Sequence, residues 1–140
     1  MACNTLPITP AIPKAVKAVL ATACTDKTGA TTANLVAGYT AVTQANGGVG
    51  AQVASFTATV PSATSTTTVG FVLLVFYKSA AGVYELLREI TVAAGVGSTT
   101  VAGATTGEIF INKNLEPGDA IVFGTTVTLP VHVTGNAGEF

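Results

Sequence analysis

The stretch VGFVLLVFYK, residues 69–78, constrains the fold more than any other part of this chain. Written as a strand it is apolar on both faces, so it belongs in the middle of a sheet rather than at an edge. It is far shorter than the roughly 18 residues of a membrane span. SAAG (79–82) turns the chain, and VYELLREITV (83–92) runs back with Tyr84, Leu86 and Ile90 in phase. A helix is the alternative for this return segment, because Glu85, Leu86, Leu87 and Arg88 are good helix formers. The segment is short, uncapped, next to a tight turn and closed by β-branched residues, so it reads as a strand. Phe71, Leu73 and Val75 are expected in the core together with Tyr84, Leu86 and Ile90.

The rest of the chain carries the same punctuation. AVKAVLATA (15–23) reads as a first strand, TDKTGATT (25–32) as a loop, and ANLVAGYTA (33–41) as a strand with Leu35, Ala37 and Tyr39 alternating. Asn46-Gly47 is a strong turn signal. In AQVASFTATV (51–60) the alternation changes phase near Ala54, which predicts a bulge. STTVAG (98–103) and GEIFINK (107–113) read as short strands. AIVFGTTVTLPVHVT (120–134) reads as one or two strands, with Gly124 or Pro130 as a break or edge position. The closing segment alternates to its last residues, which fits a strand held by other strands and not a frayed tail. About eight short strands and no convincing helix predict an all-β fold, an antiparallel β-sandwich of jelly-roll-like type.

Residues 1–14 differ from the remainder. They hold three of the six prolines, Pro7, Pro10 and Pro13. Proline lacks a backbone donor and drives its neighbours toward extended conformations, so the segment is expected to be an extended arm, neither helix nor central strand. Leu6, Ile8 and Ile12 are its candidate interface anchors, because apolar side chains on such an arm need a surface to lie on. Residues 15–140 are expected to form one sandwich domain, a size that supports a core without metals or disulfides.

Charge limits the partners. Charged residues are 9% of the chain and the net charge is −1, against about 25% in ordinary domains. No basic patch is visible, so nucleic acid is not an expected partner, and no membrane span is present. A surface so poor in charge suits a dense assembly and points to a homo-oligomer. KAVKAVLATAC (14–24) superficially resembles a lipoprotein signal, but prolines precede it and its apolar run is too short. Cytoplasmic synthesis is therefore expected, with Cys3 and Cys24 starting as thiols. The two are read as unpaired small residues, with a disulfide formed after release as the alternative; their spacing makes no metal site.

No motif for catalysis or cofactor binding is present, and no catalytic, cofactor-binding or metal-ligating residue is assigned. His132 lies between Val131 and Val133 and faces away from both, as a surface or interface histidine would. In a regular strand Glu85 and Glu89 share a face, with Arg88 on the other. Two carboxylates so placed could serve a glycosidase, but a solvated or interfacial face with salt bridges to Lys78 across the hairpin is the favoured reading. In LEPGD (115–119), Glu116 and Asp119 lack the ligand pattern of a calcium loop. Pro117-Gly118 instead predicts a type II turn leading into the next strand.

Three stretches resemble small virion structural proteins of tailed bacteriophages. They are ANLVAGYTAVTQANGGVGAQVASFTATV, GFVLLVFYKSAAGVYELLREITV and LEPGDAIVFGTTVTLPVHVTGNAGEF, the last ending in the glycine-acid-aromatic tail Gly138-Glu139-Phe140. The resemblance covers roughly residues 15–140. Gly48-Val49-Gly50 departs from it where polar residues commonly follow the Asn-Gly turn, and the 115–119 turn is more acidic. The resemblance implies a non-enzymatic protein of the capsid surface, a decoration or cement protein. Its partners would be the major capsid protein and copies of itself, a trimer being the first expectation, after synthesis in the host cytoplasm. The alternative is a tail-associated β-sandwich that binds a receptor or glycan.

Overall fold

A computed structural model describes residue 10 and residues 12–61, 70–94 and 103–140. Eight strands occur among them: β1 (Ile12–Leu20), β2 (Val36–Thr40), β3 (Ala51–Thr59), β4 (Phe71–Lys78), β5 (Tyr84–Val92), β6 (Ile109–Leu115), β7 (Ala120–Thr125) and β8 (Val131–Glu139). They form two four-stranded antiparallel sheets. Sheet A has the order β1-β8-β3-β6 and sheet B the order β2-β7-β4-β5. Pairing is nested: β4 with β5, β3 with β6, β2 with β7 and β1 with β8. One long antiparallel hairpin rolled so that successive pairs alternate between sheets is a jelly roll.

The hairpin expectation holds for β4 and β5 as strands, with β4 in the interior of its sheet. The closing segment is also interior, since β8 lies between β1 and β3. Pro130 stands just before β8 and marks the break, whereas Gly124 lies inside β7. An added Cβ at Gly124 would come within 2.7 Å of Leu35, so the position is glycine to admit that side chain. The expected strand at 98–103 falls mostly outside the described residues, and β6 runs two residues later than GEIFINK suggests. The first strand begins at Ile12, so residues 12–14, assigned to the arm, open β1 and pair with Glu139, Gly138 and Ala137. Pro13 is tolerated because β1 is an edge strand.

Between the sheets lies one core, built from Val16, Leu20, Val53, Phe56, Leu73, Val75, Ile121, Phe123, Val131 and Val133 among others. Phe56 and Phe123 meet edge-to-face across it, ring centroids 4.9 Å apart. A second cluster, Leu74, Phe76, Ala120 and Val122, lies on the outward side of sheet B. The segment 21–35, which links β1 to β2, covers part of it. Leu35 packs on this cluster, the Cys24 amide donates to the Thr125 carbonyl at 2.6 Å, and Gly29 abuts the Cβ of Tyr84. A second apolar layer under a connecting segment is how β4 and β7 remain buried on both faces.

The phase of β5 differs from the expectation. Val75 pairs with Arg88 and Phe76 with Leu86, which leaves Leu87 as an extra residue in a bulge. Tyr84 and Leu86 therefore pack with the second cluster, while Leu87 and Ile90 pack on the core. Glu85 lies opposite Tyr77 and Glu89 opposite Leu74, so the bulge places the two carboxylates on different faces of the sheet. A similar shift at Gly38 turns Tyr39 inward while Leu35 and Ala37 face out. The bulge expected near Ala54 is present.

Asp26 clamps the 21–35 segment. Its Oδ1 accepts from the Thr28 amide at 2.7 Å and hydroxyl at 2.6 Å, and its Oδ2 from the Thr31 amide at 2.5 Å. Those bonds, the Thr28 hydroxyl foremost, hold its carboxyl down at about 2 against an ordinary 3.8. A depressed folded value means that the clamp is at full strength above pH 3.8 and is lost as the pH falls through about 2. The amide resonances of Thr28 and Thr31 should titrate in that window by NMR, and Asp26→Ala should abolish the titration. For the core, Leu73→Ala should cost about 2–5 kcal/mol in chemical denaturation, since Leu73 is fully buried.

Candidate interaction surface

The four sheet edges are poorly suited to pairing with another chain. β1 carries Pro13, Lys14 and Lys17; β2 is five residues long and bulged. β5 is bulged and bears Glu85, Arg88 and Glu89, and β6 shifts register around Asn112, whose φ is +43°. Charges, prolines and bulges of this kind block edge-to-edge pairing. The faces and the two ends are what the sandwich leaves open for contact.

The jelly-roll topology brings the start of β1 and the end of β8 together at one end. Ile12 lies opposite Glu139, Glu139 opposite Ala51, and Ala51 opposite Leu115. The 41–50, 79–83 and 116–119 connections meet there too, with Gly118 packed against Ala80 and Thr43. Three of the exposed large apolar side chains belong to this end: Ile12 (51%), Val49 (50%) and Val83 (58%). Of the three arm anchors, Ile12 is thus placed, and Leu6 and Ile8 lie outside the described residues.

Beneath that end two tyrosine–carboxylate pairs close the sandwich. Tyr39 and Tyr77 flank Ile121 in sheet B. The Tyr39 hydroxyl crosses to sheet A and donates to Glu139 Oε1 at 2.5 Å, which also accepts from the Val42 amide. The Tyr77 hydroxyl donates to Asp119 Oδ2 at 2.5 Å, and Lys113 of sheet A sits 4.7 Å from the Tyr77 ring centroid. Asp119 is buried but fully occupied, by Tyr77 and by the amides of Ala80 and Glu116. The 116–119 turn forms as expected, with the Asp119 amide on the Glu116 carbonyl and Gly118 at φ +87°. Nothing in the spacing of LEPGD announced that Asp119 would be an internal bracket, since Tyr77 is 42 residues away.

The outward face of sheet A is polar but nearly neutral. Val16, Ala18 and Leu20 are buried, which puts Lys17 and Val19 outside. Rows of outward residues run across the sheet: Lys17, Thr134 and Thr57; Val19, His132 and Thr59; Ala15, Asn136, Ser55 and Phe110. His132 is exposed, as its alternation with two valines predicts. Low charge is thus met by hydroxyl and carboxamide groups here and not by a broad apolar patch. Between β3 and β8 the face holds a groove of about 270 Å³ lined by Ser55, Thr57, Glu108, Thr134, Gly135 and Asn136. Its shape comes from the bulge at Ala54 and from Gly135, where a Cβ would lie 2.1 Å from the Ser55 carbonyl oxygen.

The other sequence candidates are dispersed. Glu89 pairs with Lys27, and Lys78 lies 5.5 Å from the Tyr84 ring centroid, so neither makes the expected bridge across the hairpin. Cys24 is a buried thiol on the inner side of the 21–35 segment, beside Gly124, and Cys3 lies outside the described residues. Among the described residues, no three His, Cys, Asp or Glu side chains group as metal ligands would. No helix there is long and apolar enough to cross a membrane. Comparison with protein-family models, with curated proteins and with solved structures found no match.

The hydrogen bond to Asp119, then burial, pushes the Tyr77 phenol up to about 12; burial first, then Glu139, raises that of Tyr39. For a raised folded value, the stabilisation is complete below the ordinary 10.0 and is lost as the pH climbs through about 12. Tyr77→Phe should cost about 1.5–3 kcal/mol at neutral pH, the worth of a hydrogen bond to a charged group. It should also flatten the fall in stability above pH 10, as followed by denaturant melts across that range.

Proposed function

We propose that this chain is a capsid decoration (cement) protein of a tailed bacteriophage. In this reading it is a non-enzymatic virion component that bridges neighbouring major capsid subunits and associates with copies of itself. The observation that carries it is the convergence of Ile12, Val49 and Val83 on the end of the sandwich where β1 begins. The resemblance of residues 15–140 to small phage virion proteins supplies the biological setting.

The mechanism is physical. An expanded shell fails along seams between capsomers, and a protein that spans a seam adds buried area, about 1,200–2,000 Å² for a stable contact. Repetition over the shell converts modest single contacts into avidity. β1 is tied along its length to the interior strand β8, so a pull on the N-terminal segment is delivered to the middle of sheet A. Leu6, Ile8 and Ile12 are the anchors of that segment in this reading.

The test compares retention on purified particles with melting of the isolated protein. Deleting residues 2–9 spares β1 and should leave the melting transition in place while weakening attachment to the capsid. Val49→Asp and Val83→Asp, at exposed positions, should do the same. Sedimentation should give an oligomer, with a trimer as the first expectation, and imaging of particles should place the protein on the head. Undiminished retention of all three variants, or density only on the tail, would overturn the proposal.

A further inference from the structure

We infer that the groove on sheet A is a binding site for one neutral sugar ring. This goes beyond a decoration role and does not depend on it, because the groove lies on a sheet face and not at the end proposed to meet the capsid.

The chemistry of the lining selects the ligand. Ser55 donates to Glu108 Oε1 at 2.7 Å and so orients the carboxylate, whose Oε2 has no partner among the described residues. Thr57, Thr134 and Asn136 line the same space and make no side-chain hydrogen bond among the described residues. Hydroxyl and carboxamide groups both donate and accept, and a carboxylate only accepts. This set complements a polyol, whose hydroxyls also do both. Gly135 at the floor leaves room where any side chain would collide with β3.

Phe110 completes the site. It is the cross-strand partner of Ser55, as Asn136 is on the other side, and it is 59% exposed. Directly opposed residues have Cβ atoms about 4.5–5.5 Å apart, so the ring stands beside the groove. A sugar ring has an apolar C–H face that suits an exposed aromatic and an edge of hydroxyls that suits the threonines, Asn136 and Glu108.

Other ligand classes fit less well. Glu108 disfavours anions such as sialic acid or phosphate. One carboxylate with neutral side chains falls short of the six to eight oxygens that calcium takes. A peptide added as a strand needs an unpaired edge, and the backbones of β3 and β8 are paired to each other here. The volume, about 270 Å³, lies just below the roughly 300–1,000 Å³ of sites for drug-sized molecules, which suits one ring and not an extended chain.

A single open subsite of this size binds in the millimolar range, so the measurement is NMR titration of the isotopically labelled full chain. Probes are the methyl glycosides of glucose, galactose, mannose and N-acetylglucosamine, with that of N-acetylneuraminic acid as the anionic comparator. At least one neutral glycoside should shift amides of residues 55–57, 108–110 and 134–136 in a saturable way below about 50 mM. Phe110→Ala and Asn136→Ala are exposed substitutions whose spectra elsewhere report an intact fold. Each should weaken binding roughly fivefold to tenfold, the loss of one stacking or hydrogen-bonding contact. No saturable shift with any neutral glycoside, shifts centred elsewhere, equal binding of the anionic probe or unchanged affinity in both variants would each overturn the inference.

Discussion

Strand β7 must be buried on both faces, and most of the molecule is arranged to allow it. All six of its residues, Ala120 to Thr125, are buried. Ile121 and Phe123 enter the core between the sheets, while Ala120 and Val122 point the other way. A two-layer sandwich covers only the first of these faces. The second needs a third layer, and the 21–35 segment supplies part of it with Leu35 and Cys24 beside Gly124. Threonine and alanine make up most of that segment, so its shape comes from local hydrogen bonds more than from large apolar side chains. Asp26 is the hub of those bonds. A half-buried aspartate in a polar loop thereby helps to keep water from Leu74 and Val122.

What could be read from the sequence followed from what period-two alternation can carry. The doubly apolar run at 69–78 announced an interior strand, and Pro117-Gly118 announced its turn. The phase change at Ala54 gave away its bulge because apolar residues lie on both sides of it. Leu87 shows the limit. Tyr84, Leu86 and Ile90 are evenly spaced, so counting by two kept them on one face. The doublet Leu86-Leu87 was the only sign that the strand changes sides, and a helix reading explained the doublet equally well. Gly38 and the irregularity near Asn112 left even less trace.

The groove and the tyrosine–carboxylate brackets were invisible for a different reason. Ser55 and Glu108 are 53 residues apart, and Tyr39 and Glu139 are 100 apart. Threonine, serine and asparagine occur throughout the chain, so no one of them is distinctive until the fold sets four side by side. The low charge was legible, but its physical answer was not. Sheet A meets water with neutral hydrogen-bonding groups, and the exposed apolar side chains gather mostly at one end.

The position of β8 carries a consequence for how the molecule comes to be made. This strand lies between β1 and β3, two strands that are not neighbours without it. While a ribosome is still upstream of residue 131, sheet A has a gap where its central strand belongs. β1, with Val16 and Leu20, and β3, with Val53 and Phe56, then wait for a partner encoded more than a hundred residues after β1. Sheet B has no such gap once β7 has emerged, since β2, β7, β4 and β5 are then all present. Closing contacts so distant along the chain costs loop entropy before any packing is gained, which makes folding slow and leaves strand edges open to stray association. Assembly of this sandwich thus waits for residues 131–139, and the lysines and proline on β1 act earliest, keeping a strand soluble that has nothing yet to pair with.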